Sequence, residues 1–153
     1  MIRGREGVEL RRRGEEGFTL LEVTAVLILL GLLATLVVPY YLRSVEKGRA
    51  NLARSQIALL KGVLTEYRLE NGTYPTTEQG LAALYRKPDI PPIPETWDGP
   101  YIEDPIANDP WGRPYRYLCP GEHNREGYDL WSLGADGLEG GTGVNADITN
   151  WGP

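Results

Sequence analysis

The sequence predicts an α+β fold: one long N-terminal α-helix packed on a small antiparallel β-sheet and closed by a glycine-rich C-terminal loop. Three observations predict it. An apolar run fills residues 18–42, an amphipathic helical stripe follows, and the second half holds two short strand-like runs among many glycines and prolines. The 153 residues, 41% of them hydrophobic, suffice for one small domain. Much of that apolar content lies in one block. The remainder must therefore build its core from amphipathic aromatics, nine Tyr and four Trp, whose polar tips need partners.

The first element is the apolar helix. Residues 18–42 would extend ~37 Å as a helix, enough to cross a hydrocarbon core of ~30 Å. A secretory signal would be shorter and end in a small-residue cleavage site, which is not seen here. Arg11, Arg12 and Arg13 precede the run and no comparable basic cluster follows it, so the positive-inside rule places the N-terminus in the cytoplasm and the C-terminus outside. Glu22 lies five residues into the run, where a carboxylate costs ~2.5–3.5 kcal/mol on insertion scales. It needs a partner or a task. Pro39 predicts a kink or local melting near residues 35–39.

Beyond Leu42, Ala53, Ile57, Leu60, Leu64 and Tyr67 share one helix face. The helix should end at Asn71-Gly72, a pair suited to a left-handed cap; the Asn71-Gly72-Thr73 sequon is read as part of that cap. Thr76 and Gln79 have capping-box spacing and predict a short helix over 77–86, with Leu81, Leu84 and Tyr85 facing inward. Residues 88–100 hold five prolines and form a loop anchored by Trp97 and Tyr101. Residues 113–118 and 128–133 read as strands of an antiparallel hairpin turning at 120–124. His123 falls in that turn and is read as solvated. Cys119, the single cysteine, has no partner for an intramolecular disulfide and is read as a small buried hydrophobe.

Residues 133–148 show no period. Their glycines permit tight bends, and Asp136, Asn145, Asp147 and Glu139 supply hard oxygens. Two readings stand: a calcium loop, which needs about 6–8 oxygens, or an ordinary Asp-Gly turn. It is not an EF-hand, because the twelfth position from Asp136 is Asp147 rather than a bidentate glutamate.

Net charge is −5, and residues 1–17 carry five Arg and four Glu, which leaves −6 from Phe18 onward. That excludes a nucleic-acid partner, which requires a clustered basic face. With one His, one Cys and no phosphate-binding glycine motif, no nucleophile–base pair is available, and an enzyme is not expected.

Gly17-Phe18-Thr19-Leu20-Leu21-Glu22-Val23 resembles the class III signal of type IV pilins and type II secretion pseudopilins. The resemblance implies a type IV pilin-like fold. It also implies cleavage between Gly17 and Phe18 and methylation of the new N-terminus by a prepilin peptidase/N-methyltransferase. Residues 1–17 are then a removed leader, 18–42 a transmembrane and polymerisation helix, and 43–153 a periplasmic domain with its C-terminal loop at 133–153. In that family Glu22 would pair with the N-terminal amine of a neighbouring subunit. Asn71-Gly72-x-Tyr74-Pro75-Thr76, Asp109-Pro110-Trp111-Gly112, Ser132-Leu133-Gly134-Ala135-Asp136-Gly137 and Asp147-Ile148 with Asn150-Trp151 are similar to the major pseudopilins of type II secretion. This implies a subunit stored in the bacterial inner-membrane lipid that polymerises into a periplasmic filament and drives export of folded proteins. Minor pseudopilins and an inner-membrane assembly platform would be its partners. The resemblance also implies a structural Ca2+ held by Asp136 and the Leu133 carbonyl. Relatives carry further acids near 142–145, and here Asn145 or Asp147 would take that part. Two alternatives are a type IV pilin of a surface fibre and a membrane-tethered calcium-binding module that never polymerises. Many such pilins close a C-terminal disulfide loop, which one cysteine cannot form; retention of residues 1–17 would favour the tethered module.

Overall fold

The computed structural model describes residues 17–152, so the expected leader, apart from Gly17, lies outside the described residues. The first element, α1, runs from Leu20 to Asn71. The described residues divide into two units, the first ending at Pro39 and the second beginning at Tyr40.

In the first unit the apolar side chains of α1 are not buried among the described residues: Leu27, Ile28, Leu32 and Leu36 are all exposed. Helical backbone runs through Pro39, so the melting expected at 35–39 does not occur; proline removes one N–H bond there without ending the helix.

The second unit holds the core. Ala53, Ile57, Leu60, Leu64 and Tyr67 are the buried residues of α1, the face that the heptad-like spacing predicts. They meet Ala83, Leu84, Tyr115, Tyr128, Leu130 and Ile148 in one cluster. Full burial of each large apolar side chain contributes ~1.5–3 kcal/mol. The helix stops at Gly72, whose φ of 79° is left-handed and whose N–H bonds the Arg68 carbonyl at 2.8 Å.

The capping box forms: Thr76 N–H donates to Gln79 Oε1 at 3.0 Å, and Gln79 N–H to Thr76 Oγ1 at 3.2 Å. The helix it was expected to open does not. Turns lead to a 3₁₀ segment, Leu81–Leu84, because Gly80 sits at φ 58° and breaks the α-helical path. The tighter repeat turns Ala83 and Leu84 inward and leaves Tyr85 exposed. Gln79 spends its amide on the carbonyls of Ile90 (2.7 Å) and Pro92 (2.8 Å), pinning the proline-rich loop. Trp97 anchors that loop through Nε1–H to the Ala83 carbonyl at 3.0 Å, and Tyr101 through its hydroxyl to Glu70 at 2.6 Å.

The sheet has three strands in the order β1-β2-β3, both pairings antiparallel. β1 is Arg116–Leu118, β2 Asp129–Ser132 and β3 Ile148–Thr149. Tyr117 faces Leu130, and Ser132 faces Ile148. The hairpin strands are shorter than the runs 113–118 and 128–133. Pro114 has no N–H for a ladder, and the Arg113 backbone is engaged by Asp109 instead. β3 and a 3₁₀ turn at Gly143–Asn145 form where residues 133–148 show no period in the sequence.

Candidate functional site

At the start of α1, Phe18 is 88% exposed and Glu22 caps the helix it sits on. Thr19 N–H and Oγ1 both donate to Glu22 Oε2, at 2.8 and 3.0 Å, and Glu22 N–H donates back to Thr19 Oγ1 at 3.2 Å. This is a capping box, and Thr19-Leu20-Leu21-Glu22 has the spacing that announces one. The box is not among the expectations from sequence, in which Glu22 figures only as a charge within an apolar run. Glu22 therefore has a local partner within its own chain. The helix behind it has a mean hydropathy of 2.6 over its most apolar 18 residues, with none of that window buried. It is long and apolar enough to cross a membrane.

The C-terminal loop is built on the Asp109 turn. Asp109 is 4% exposed. Its Oδ1 accepts the N–H groups of Trp111 (3.1 Å) and Arg113 (2.8 Å), and its Oδ2 accepts the Ser132 hydroxyl at 2.6 Å. Two side chains leave this turn. Trp111 donates Nε1–H to Glu46 on α1 at 2.7 Å. The Arg113 guanidinium donates to the Gly134 carbonyl in the loop. Beside the turn, the Tyr115 phenol is pushed up to about 12 by burial and by the Asp109 carboxylate.

The four expected loop ligands stand differently. The Leu133 carbonyl accepts Gly137 N–H at 3.2 Å. Asp136 is exposed, and its Oδ1 accepts Leu138 N–H at 3.0 Å. The Asn145 side chain is exposed, but its carbonyl lies 3.2 Å from where a Gly134 Cβ would be, and the Ala146 carbonyl 2.6 Å. Only glycine, at φ 61°, admits that approach. Asp147 Oδ2 accepts Gly140 N–H at 2.9 Å, while its Oδ1 is buried with no hydrogen-bond partner among the described residues. Among the described residues, no three His, Cys, Asp or Glu side chains gather in a metal-holding group.

A second acid sits beside the loop. Asp129, 1% exposed, accepts the backbone N–H groups of Glu122, His123 and Asn124 at 2.8, 2.8 and 3.0 Å. Burial raises its pKa, but the hydrogen bonds from His123, Asn124 and Glu122 outweigh that, and the carboxyl is held below its ordinary value. His123 is less free than expected. Its ring lies 3.1 Å from Asp129 Oδ2 and stacks on Trp151 at 4.1 Å. Cys119 is half-buried rather than fully so, its Sγ 3.4 Å from the Gly127 carbonyl, and burial raises its thiol pKa.

Residues 40–151 match the family model described as type II secretion system (T2SS), protein G. The chain is 43% identical over 142 residues to the type II secretion system core protein G of Pseudomonas aeruginosa, covering 93% of this chain and 99% of that one. It is 46% identical over 141 residues to the protein of the same description from Vibrio cholerae, covering 92% and 94%. Among solved structures it matches the major pseudopilin from the type 2 secretion system of enterohaemorrhagic Escherichia coli, with a TM-score of 0.59 and 39% identity, covering 71% of this chain and 90% of that one. An exposed apolar helix opening on a capped acid, a domain built on the continuation of that helix, and these matches lead to one conclusion: the chain belongs to the type II secretion system protein G family.

Proposed function

We propose that this chain is the structural subunit that polymerises into the pseudopilus of a type II secretion system and drives export of folded proteins. The observation that carries the reading is α1 itself, which leaves its apolar first half unburied and carries one acid at its start. Such a surface needs lipid before assembly and other helices after it. Head-to-tail packing of copies gives an open filament. Minor pseudopilins and an inner-membrane platform are its proposed partners.

The steps follow from the residues. The subunit waits in the inner membrane with its N-terminus cytoplasmic and its domain periplasmic. A prepilin peptidase cuts between Gly17 and Phe18 and methylates Phe18. The new ammonium then lies close in sequence to Glu22, whose carboxylate already holds Thr19. In the filament Glu22 pairs with the amine of a neighbour, and a copy out of register leaves that charge unpaired in an apolar core.

The C-terminal loop fits a structural Ca2+. Asp147 Oδ1 is buried without a hydrogen-bond partner among the described residues, and the Asn145 and Ala146 carbonyls close on Gly134; these oxygens support that reading. Asp147, Asp136, the Leu133 carbonyl and Asn145 are the residues that would hold the ion. Bound there, calcium supplies divalent charge that gathers carboxylate and carbonyl oxygens into one shell.

The test is the intact mass of the protein purified from its host membranes. A mass for a chain that starts at Phe18 and carries one methyl group supports the reading. A full-length mass in cells with an active prepilin peptidase refutes it and leaves a tethered module.

A further inference from the structure

We infer that Arg113 is the positioning residue of the C-terminal loop, setting its oxygens for the cation without touching it. The inference rests on the calcium reading above. A chain of contacts leads from the core to the loop. Buried Asp109 fixes the Arg113 backbone N–H at 2.8 Å. The Arg113 side chain then crosses to the loop and donates to the Gly134 carbonyl. Gly134 in turn lies against the Ala146 and Asn145 carbonyls. The next residue is Asp147, whose Oδ1 is buried without a partner.

Two further observations show that the guanidinium occupies a fitted place. A Cβ on Gly137 would lie 2.8 Å from both Cζ and Nη1 of Arg113, and Gly137 sits at φ 73°. The loop thus leaves room for this side chain between two glycines, 134 and 137. The Arg113 Nε–H is buried with no acceptor among the described residues. An unmet buried donor costs ~1–3 kcal/mol.

Electrostatics and positioning make opposite predictions. A fixed positive charge near a divalent site repels the ion, so if charge dominated, Arg113→Gln would tighten calcium binding. If the guanidinium sets the Gly134 carbonyl against the 145–147 segment, the same change leaves the oxygens scattered and weakens binding. Groups that orient metal ligands from outside typically change affinity by ~10–100-fold when removed.

The test uses the full chain in detergent micelles, titrated with calcium chloride by calorimetry, together with thermal unfolding in calcium and in chelator. We expect R113Q to raise the calcium Kd by ~10–100-fold. Its destabilisation is then larger in saturating calcium than in chelator, since the variant loses part of the ligand's stabilisation. R113K, which keeps the charge but lacks the planar fork, falls between. An unchanged or lower Kd in R113Q, with equal losses in calcium and chelator, overturns the inference and leaves Arg113 a plain staple. Absence of calcium binding in the wild type overturns the calcium reading itself, a result distinct from the first. Should R113Q fail to fold, R113K carries the same comparison.

Discussion

Asp129→Asn is the sharpest probe of how the domain is held together, because it changes one atom in a site whose every donor is known. The native carboxylate is reached by five donors. Oδ1 takes Asn124 N–H at 3.0 Å and Asn124 Nδ2 at 3.1 Å. Oδ2 takes the N–H groups of Glu122 and His123, both at 2.8 Å, and faces His123 Nδ1 at 3.1 Å. An asparagine must put its NH2 on one side. Placed at Oδ2 it opposes three donors; placed at Oδ1 it opposes two, so it adopts the second arrangement. Asn124 Nδ2 keeps the Tyr128 carbonyl at 3.0 Å as an alternative, but Asn124 N–H has no second acceptor among the described residues. That one orphaned donor, plus the loss of charge from the remaining bonds, amounts to ~2–4 kcal/mol. For a domain of this size the fall in Tm is then ~8–16 °C. The assay is thermal unfolding of the full chain in detergent, followed by near-ultraviolet circular dichroism of the tryptophans. The sign with pH is also set. A carboxyl held below its ordinary value stabilises the fold at neutral pH, and that contribution is lost as pH falls through the native pKa. The penalty of the variant therefore shrinks below about pH 4. A loss under ~0.5 kcal/mol at pH 7 would refute the reasoning, because it would mean the donors do not depend on the charge.

Further outcomes follow from other sites. Glu22→Gln keeps a capping-box side chain but no charge; we expect normal membrane insertion with filaments at roughly a tenth of wild type or fewer, scored by electron microscopy, and wild-type numbers would end the pairing proposal. Leu64→Ala removes a side chain with no exposure and should cost ~2–5 kcal/mol in denaturant unfolding. Gly72→Ala meets no atom within 4 Å, so only the left-handed backbone is penalised, at ~1 kcal/mol; a larger loss would mean a collision not described above. Alkaline titration followed by tyrosine absorbance should find phenols resisting ionisation to about pH 12, Tyr115 and Tyr128 among them. Stability they contribute is complete below pH ~10 and lost as pH rises through their native values.

The long helix was legible because a 3.6-residue pattern repeats across many turns, and Ala53 to Tyr67 are buried as that pattern requires. The cap at Gly72 was legible because glycine alone adopts that backbone without strain. The helix after Thr76 was misread: its box is real, but Gly80 bends away and Gln79 serves a distant loop. β3 is two residues long, too short to show alternation, and exists because β2 offers it an edge. In the loop, the acids and the Leu133 carbonyl are legible in the sequence, but the approach of the Asn145 and Ala146 carbonyls to Gly134 and the part of Arg113 are not. Those are placed by contacts between residues far apart in the chain, which no local pattern encodes.

The hydrogen bond from Trp111 to Glu46 has a mechanical meaning. Glu46 precedes Ala53, the first fully buried residue of the helix stripe. The domain therefore grips the helix at a polar clamp before it grips it through the core. A pull along the helix loads the clamp and the apolar stripe in shear, with many small contacts yielding together rather than one after another. It is also passed through the Asp109 turn to β2 by way of Ser132. Extension of a filament made of such subunits would then be resisted by the sheet as well as by the helix that is pulled.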